Sequence, residues 1–573
     1  MNFIKKKLNV ILKSTIIFLL ILSFYSSIIL GFSWDEYFHH INGLVRFKFL
    51  SSWGEFQKYD FRNNKFYPGL YDTISYSIGH LIFLIDKKLF IKYLAEIMHI
   101  VNYAFASLSL LGLFLLTRRV FNKDIALLSC FITLLNPFFF GHMGMNSKDL
   151  IIFFSLIWFC YFFYLYCTEE KKQISNLIFF SIFVGFGCGV RLTFLVVIFP
   201  AVLFGIVYLI KKYKSNYIHL TKIFTIHVFV TFLITSFLVI ICWPHILVEI
   251  HSKNFLNFFS LIIKNTINWN DGPQVGLLNG DFYLVYDSPR SYFLSFILYR
   301  MPIFISLLFF ITYYFIFLEN FIIKKNIQNF KIKFLIINLI ALFPILLALI
   351  LKINLYDNIR LFLFVIPFIS LIASFSLNHL ITFSSKSKKF KLFFIVIITL
   401  ILISFYRFIM LTPYQYAYVN FSYPFYKNSI GKFEHDYWGA SYKELVLKIK
   451  EKYSKEEISK FKIADCGGGD YTLMYYLNKY LGIKKTYSSQ KDINNATHMV
   501  MNNRAFIDVF NNEVVKDLVD QKTAVFLLKD REKIFNTPGI KQLCFSNKNF
   551  SGKDLVVVSR KSLPLTIFRE LKK

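Results

Sequence analysis

Acidic residues are scarce in this 573-residue chain: 34 Asp and Glu stand against 65 Lys and Arg, a formal net charge of +31. In a soluble protein that imbalance would suggest nucleic acid. Here the lysines fall in short clusters between apolar runs, as positive-inside loops do, so nucleic-acid binding is set aside. Cysteine is also scarce. Of the seven, Cys130, Cys160, Cys167, Cys188 and Cys242 lie in or beside apolar runs without metal-ligand spacing; they read as small core hydrophobes, and no metal site is indicated. Cys466 and Cys544 stand alone in the tail and form a candidate disulfide pair there. The chain lacks a G-x-G-x-x-G loop, and Gly467-Gly468-Gly469 resembles one only loosely, so no nucleotide cofactor is expected. No small-residue cleavage site follows the basic Lys5-Lys6-Lys7 and the apolar run 14–32, which reads as an uncleaved first span rather than a signal peptide.

What is abundant is apolar surface. With 56% hydrophobic and 20% aromatic residues, the chain carries more than a water-soluble fold could keep off its surface, which makes it an integral membrane protein. Runs long enough to cross roughly 30 Å of hydrocarbon number about eleven. They cover 12–33, 93–117, 124–141, 150–167, 174–190, 192–210, 223–243, 292–318, 334–351, 359–381 and 392–411. Placing the N-terminus in the cytoplasm puts six basic clusters inside: Lys5-Lys6-Lys7, Arg118-Arg119 with Lys123, Lys171-Lys172, Lys211-Lys212 with Lys214, Lys324-Lys325, and Lys386 with Lys388, Lys389 and Lys391. The stretch 73–85 is too short to span and reads as an interfacial helix. The chain thus divides into a polytopic all-α membrane domain, 1–411, with outer loops 34–92, 142–149 and 244–291, and an extracytoplasmic tail, 412–573. In the tail, candidate helices at 436–452 and 471–481 alternate with candidate strands at 462–466, 498–501, 523–528 and 554–558, the pattern of a small α/β domain.

Candidate chemistry gathers in the outer segments. Asp35 and Glu36 emerge directly from the first apolar run, where thinning water makes a charge costly and can raise or split carboxylate pKa values, a suitable place for a general base. The plain alternative is the wet end of a span, with Trp34 and Tyr37 as interface anchors. The second loop, His142-Met143-Gly144-Met145-Asn146-Ser147-Lys148-Asp149, ends in an acid at a helix start. Helix capping accounts for Asn146 and Asp149 but not for Lys148 beside them. Arg191 and Arg360 put guanidinium groups near the outer interface, where a phosphate is a fitting partner; solvation and headgroup anchoring are the alternatives. Lys148, Arg191 and Arg360 are therefore candidate phosphate ligands. His142, Asn146, Trp243 and His245 are candidate substrate contacts, since aromatics beside polar groups suit sugar stacking as well as an interface belt.

Three passages together carry a family resemblance: Trp34-Asp35-Glu36, Asn146-Ser147-Lys148-Asp149, and the segment 412–420 followed by Asp436-Tyr437-Trp438-Gly439-Ala440-Ser441-Tyr442-Lys443-Glu444. They resemble bacterial relatives of the dolichyl-phosphate-mannose:protein mannosyltransferases, family-39-like members of the GT-C glycosyltransferase class, over most of residues 10–445. The resemblance implies that Asp35, with Glu36 beside it, is the catalytic base and that Asp149 is a second active-site acid. It implies a polyprenyl-phosphate-sugar donor, a lipid, glycan or protein hydroxyl acceptor, and a place in the cytoplasmic membrane among its lipids. The tail shows no repeats of the β-trefoil kind that eukaryotic members carry, which leaves the acceptor open. A transporter or flippase would need ionisable groups at the bilayer midplane and an internal repeat, and neither is evident. A glycan ligase or polymerase of similar architecture differs only in acceptor.

Overall fold

The structure is a computed structural model and describes residues 2–56, 67–251, 254–267, 275–317, 327–385, 387–467, 470–488, 493–508 and 535–572. The candidate strand 523–528, Gly468-Gly469 and the basic residues Lys324, Lys325 and Lys386 lie outside the described residues. Among those described, eight helices are long and apolar enough to cross a membrane. A ninth span results if Tyr292–Arg300 and Ile303–Ile316, bent by 117°, count as one. This is a multi-pass membrane protein. The bend falls at Pro302, which has no N–H to carry the helix ladder through. Two further expected spans are helical but shorter. One is Lys123–Leu134, interrupted and restarted as Pro137–His142, where Asn136 Oδ1 accepts the N–H groups of Phe138 and Phe139 at 3.1 Å each. The other is the 16-residue helix Gln173–Cys188. The expected interfacial stretch is the helix Leu70–Ile85, also too short to span.

Ion pairs sort the helix ends into two groups. At one end Arg119 pairs with Glu169 and Lys212 with Glu170, while Lys333 Nζ donates to the Val120 carbonyl. At the other end Asp35, Asp149, Arg191 and Arg360 come together. The most buried span is Arg360–Phe383, 89% buried over its apolar window, whereas Lys7–Ile29 is only 17% buried and leaves most of its apolar surface on the outside of the helix bundle.

The tail forms a five-stranded sheet. Its strands are Ile463–Cys466 (β3), Tyr487–Ser488 (β4), His498–Asn502 (β5), Gly552–Arg560 (β8) and Leu563–Leu571 (β9), following an earlier hairpin of Val275–Leu278 (β1) and Asp281–Leu284 (β2). The spatial order is β4-β3-β5-β9-β8, parallel from β4 to β5 and antiparallel thereafter. A smaller pair, Ala505–Ile507 (β6) and Lys541–Leu543 (β7), lies against the hairpin through Val275, Leu277, Ala505, Ile507 and Leu543. Cys466 and Cys544 form a disulfide.

The expected helix 436–452 begins only at Tyr442. Residues 436–441 instead run into the helix ends, with Gly439 at φ +65°, where an added Cβ would strike the Tyr442 ring at 2.5 Å. This segment seats the tail. Gly31 N donates to Ala440 O at 3.0 Å and Trp34 N to Trp438 O at 3.0 Å. Lys443 Nζ bonds the carbonyls of Ile28 and Leu30, which end the first span, and pairs with Glu96 at 2.7 Å.

Candidate active site

The helix Trp34–Ser51 starts with a capping box: Ser33 N donates to Glu36 Oε2 at 2.8 Å. Neighbouring residues on a helix point about 100° apart, so Asp35 and Glu36 take separate roles. Glu36 is buried, its carboxylate bonded to His99 Nε2 at 3.1 Å and Asn102 Nδ2 at 3.1 Å as well as to the cap. Asp35 faces the other way with a side chain 36% exposed, and accepts from Arg360 Nη1 at 3.1 Å. Burial alone would push the Asp35 carboxyl up, but Arg360, His39, Lys148 and Arg504 around it hold it below the ordinary carboxylate value.

Arg360 is the hub. It lies between the rings of Tyr356 and Trp438, 4.9 and 5.0 Å from their centroids, and pairs with Asp35, with Asp149 at 3.6 Å and with Asp357 at 3.1 Å. Asp149 is 1% exposed and also takes Arg191 Nη2 at 2.8 Å. Asp357 and Asn358 both adopt left-handed backbone, φ +53° and +61°, a conformation that Asp and Asn tolerate better than other side chains. That turn places Asp357 between Arg360 and Arg504, whose Nη2 lies 3.3 Å from it. Arg504 comes from the tail, just after β5; it donates to the Tyr437 carbonyl and lies 5.1 Å from the Trp34 ring centroid.

A cleft enclosing about 330 Å³ of empty space, part of it open to solvent, adjoins this cluster. His39, Arg46, Asp72, Ser147 and Lys148 are among its walls. His39 pairs with Asp72 at 3.1 Å, and Lys148 lies 4.4 Å from the Tyr67 ring centroid. Burial, with Arg191 beside it, lowers the Lys148 ammonium to about 8 against the pull of Asp35, Asp149 and Asp72. Among the described residues no three His, Cys, Asp or Glu side chains are grouped as a metal would need.

The structure therefore brings together Asp35, Asp149, Arg191 and Arg360, with Lys148 on the adjoining wall. Glu36 belongs to the helix cap and core, with no face turned to the cleft. Asn146 and His142 stand behind Asp149. Asn146 Oδ1 accepts the N–H groups of Lys148 and Asp149, its Nδ2 reaches Asp149 Oδ2 at 3.2 Å, and His142 links Asn146 to the Tyr437 hydroxyl. Both are buried, so they orient the carboxylate rather than line the cleft. Trp243 is 1% exposed, packed on Phe258, and neither it nor His245 lines the cleft. The residue that sequence reasoning assigned no role, yet which reaches the site from farthest away in the chain, is Arg504. Its one signal is the polar run Asn502-Asn503-Arg504 at the end of a candidate strand. Trp438 was visible in the run Asp436–Glu444 without a role, and Asp357 opens the same turn as Arg360, three residues before it.

Residues 85–238 match the model of the dolichyl-phosphate-mannose-protein mannosyltransferase family. That stretch holds His142, Asn146, Lys148, Asp149 and Arg191, and over it the resemblance read from the sequence is borne out; Asp35 and Arg360 lie beyond its ends. No curated protein matches the sequence. Among solved structures, the chain is similar to ArnT from Cupriavidus metallidurans bound to undecaprenyl phosphate, at 11% identity over 98% of each chain with a TM-score of 0.49. The same protein in its apo state gives 11% identity over 98% of each chain and 0.48. The archaeal oligosaccharyltransferase AglB from Archaeoglobus fulgidus, in complex with an inhibitory peptide and a dolichol-phosphate, gives 9% identity over 86% of this chain and 69% of that one, with a TM-score of 0.44.

Proposed function

We propose that this protein is a membrane glycosyltransferase that moves a sugar from a polyprenyl-phosphate-linked donor to a hydroxyl acceptor at the outer face of the cytoplasmic membrane, with its N-terminus inside and its tail outside. The observation that carries the reading is the pairing of a part-exposed carboxylate, Asp35, with a guanidinium, Arg360, in a cluster that together with the cleft walls sets Arg46, Arg191, Arg360, Arg504 and Lys148 against Asp35, Asp72, Asp149 and Asp357. Excess positive charge at a membrane surface suits an anionic lipid phosphate. The family match over residues 85–238 supports the same class.

In this mechanism Asp35 takes the proton of the acceptor hydroxyl as its oxygen bonds to the anomeric carbon. The bond from that carbon to the phosphate oxygen breaks, and its electron pair leaves with the polyprenyl phosphate. Arg360, Arg191 and Lys148 stabilise the departing charge, and a single displacement inverts the anomeric centre. Asp149, fixed by Asn146, holds the two arginines in register. A carboxylate with a lowered pKa is a weak base but stays ionised. That is adequate where the acceptor proton moves late and the leaving group is already an anion.

The direct test is transfer by purified protein in lipid bilayers, supplied in parallel with polyprenyl-phosphate sugars and nucleotide sugars. Transfer from the lipid-linked donors alone is expected, and turnover with a nucleotide sugar alone would overturn the reading.

A further inference from the structure

Two side chains of the tail reach the carboxylate cluster: Trp438 packs on Arg360, and Arg504 pairs with Asp357. Arg504 is 8% exposed, and three contacts of its guanidinium fall on groups that position the site. Its Nη2 pairs with Asp357, the carboxylate that also holds Arg360 Nε. Its Nη1 donates to the Tyr437 carbonyl, one residue before Trp438, whose ring packs on Arg360 and whose carbonyl accepts Trp34 N. Its guanidinium plane lies over the Trp34 ring, and Trp34 directly precedes Asp35. The two members of the central pair, Asp35 and Arg360, thus have Arg504 as a common neighbour one residue removed from each.

The loop that carries Arg504 is held from the tail side. Asn502 Nδ2 donates to the Asp436 carbonyl at 3.0 Å, and Asn503 Nδ2 donates to the Phe433 carbonyl at 3.0 Å. Cys544 N donates to the Arg504 carbonyl at 3.2 Å, and Cys544 is disulfide-bonded to Cys466 at the end of the neighbouring strand β3. Arg504 is therefore fixed at its backbone by the tail, while its guanidinium bridges Asp357 and Trp34 of the membrane domain to the Tyr437 carbonyl of the tail.

We infer that Arg504 is a positioning residue: it joins the tail to the catalytic cluster and sets the register between Asp35 and Arg360. The inference deepens the proposed transfer reaction and rests on it for the kinetic readout only. Lysine cannot replace the guanidinium fully, because a single ammonium cannot span a carboxylate, a carbonyl and an indole face at once. The charged and titratable groups facing Asp35 are Arg360, His39, Lys148 and Arg504, so removing Arg504 takes away one of the three Arg and Lys charges that keep Asp35 ionised.

The test compares wild type, Arg504→Gln, Arg504→Lys and Asp357→Asn in lipid nanodiscs, with Arg569→Gln as a control that removes the Arg569–Asp554 pair between β9 and β8 and the bond from Arg569 to the Phe550 carbonyl, away from the site. Hydrogen exchange of segments 34–39 and 356–360 is followed together with that of β3 and β5. Arg504→Gln and Asp357→Asn are expected to speed exchange in the two site segments by about tenfold or more while β3 and β5 stay protected. With a polyprenyl-phosphate sugar, Arg504→Gln is expected to lower kcat by about 10–100-fold, the scale of a small misplacement. Its acidic pH limb should move upward, and Arg504→Lys should recover part of both effects. Unchanged exchange in 34–39 and 356–360 overturns the inference whatever the donor. Loss of protection throughout the tail overturns it too, by giving Arg504 a general folding role. Local exchange changes in a wild type that transfers no sugar leave the positioning role standing and count against the proposed reaction instead.

Discussion

Two neighbouring carboxylates divide their work because a helix turns them to different faces. Glu36 caps and packs, so Glu36→Gln is expected to cost about 1–3 kcal/mol of stability, the penalty for weakening a buried charged hydrogen-bond set, with transfer activity changed little; thermal unfolding beside single-turnover rates separates the two. In the proposed reaction Asp35 can act as a base only when ionised. Its neighbours hold its pKa down, so the ionised form persists to lower pH, and kcat/KM is lost only as pH falls below the ordinary carboxylate range. Lys148 acts in the opposite sense. Its ammonium, lowered to about 8, sheds its proton as pH rises through that value, so donor capture weakens there. A pH profile of kcat/KM should show both limbs, and Lys148→Arg should remove the alkaline one while leaving the acidic one in place. At this scale the sequence was informative about identity and poor on direction. Asp35, Asp149, Arg191 and Arg360 could be picked out because charge beside a span is costly. That Asn146 and His142 stand behind Asp149 depends on side-chain orientation in a short loop, which periodicity does not record.

At the scale of elements, the turn Tyr356-Asp357-Asn358-Ile359-Arg360 sets the geometry of the hub. Because Asn358 sits at φ +61°, Asn358→Gly is expected to be neutral, whereas Asn358→Ala should cost about 1 kcal/mol and raise the donor KM through Arg360; thermal unfolding and donor titrations check the pair. Long apolar runs were legible as helices from hydropathy alone. Their breaks were harder to place, although Pro302 and the Asn136-Pro137 step explain two of them. The hairpin β1–β2 went unread despite carrying Asn279-Gly280 at its turn, with φ +50° and +101°, a dipeptide suited to two left-handed residues. Strand β9 was missed as well: its opening Leu563-Pro564 pairs with the end of β8, and a proline inside a run weakens the signal of a strand.

For the whole molecule, the tail is a structural part of the site. One continuous buried core runs from the spans through Tyr414, Tyr416 and Tyr437 to Leu473 and Phe568 of the tail. The Cys466–Cys544 bond closes a loop 78 residues apart in sequence, so Cys466→Ser with Cys544→Ser is expected to lower the stability of the tail by about 2–4 kcal/mol. Denaturant titration followed by exchange in β3 and β5 would register it. The alternating pattern foretold helices and strands in the tail but not its seating, because Asp436, Tyr437 and Trp438 read as the start of a helix and instead descend to the helix ends.

Everything proposed for the chemistry turns on the Asp35 carboxylate, and Asp35→Asn keeps its shape while removing its basicity. The decisive measurement is the transfer rate from a polyprenyl-phosphate sugar by wild type and by Asp35→Asn at matched expression and melting temperature. A fall of about 10²–10⁴-fold in turnover with donor affinity within a few-fold of wild type is the expected result. Near-full turnover in Asp35→Asn, alongside an active wild type, would contradict the assignment of the base.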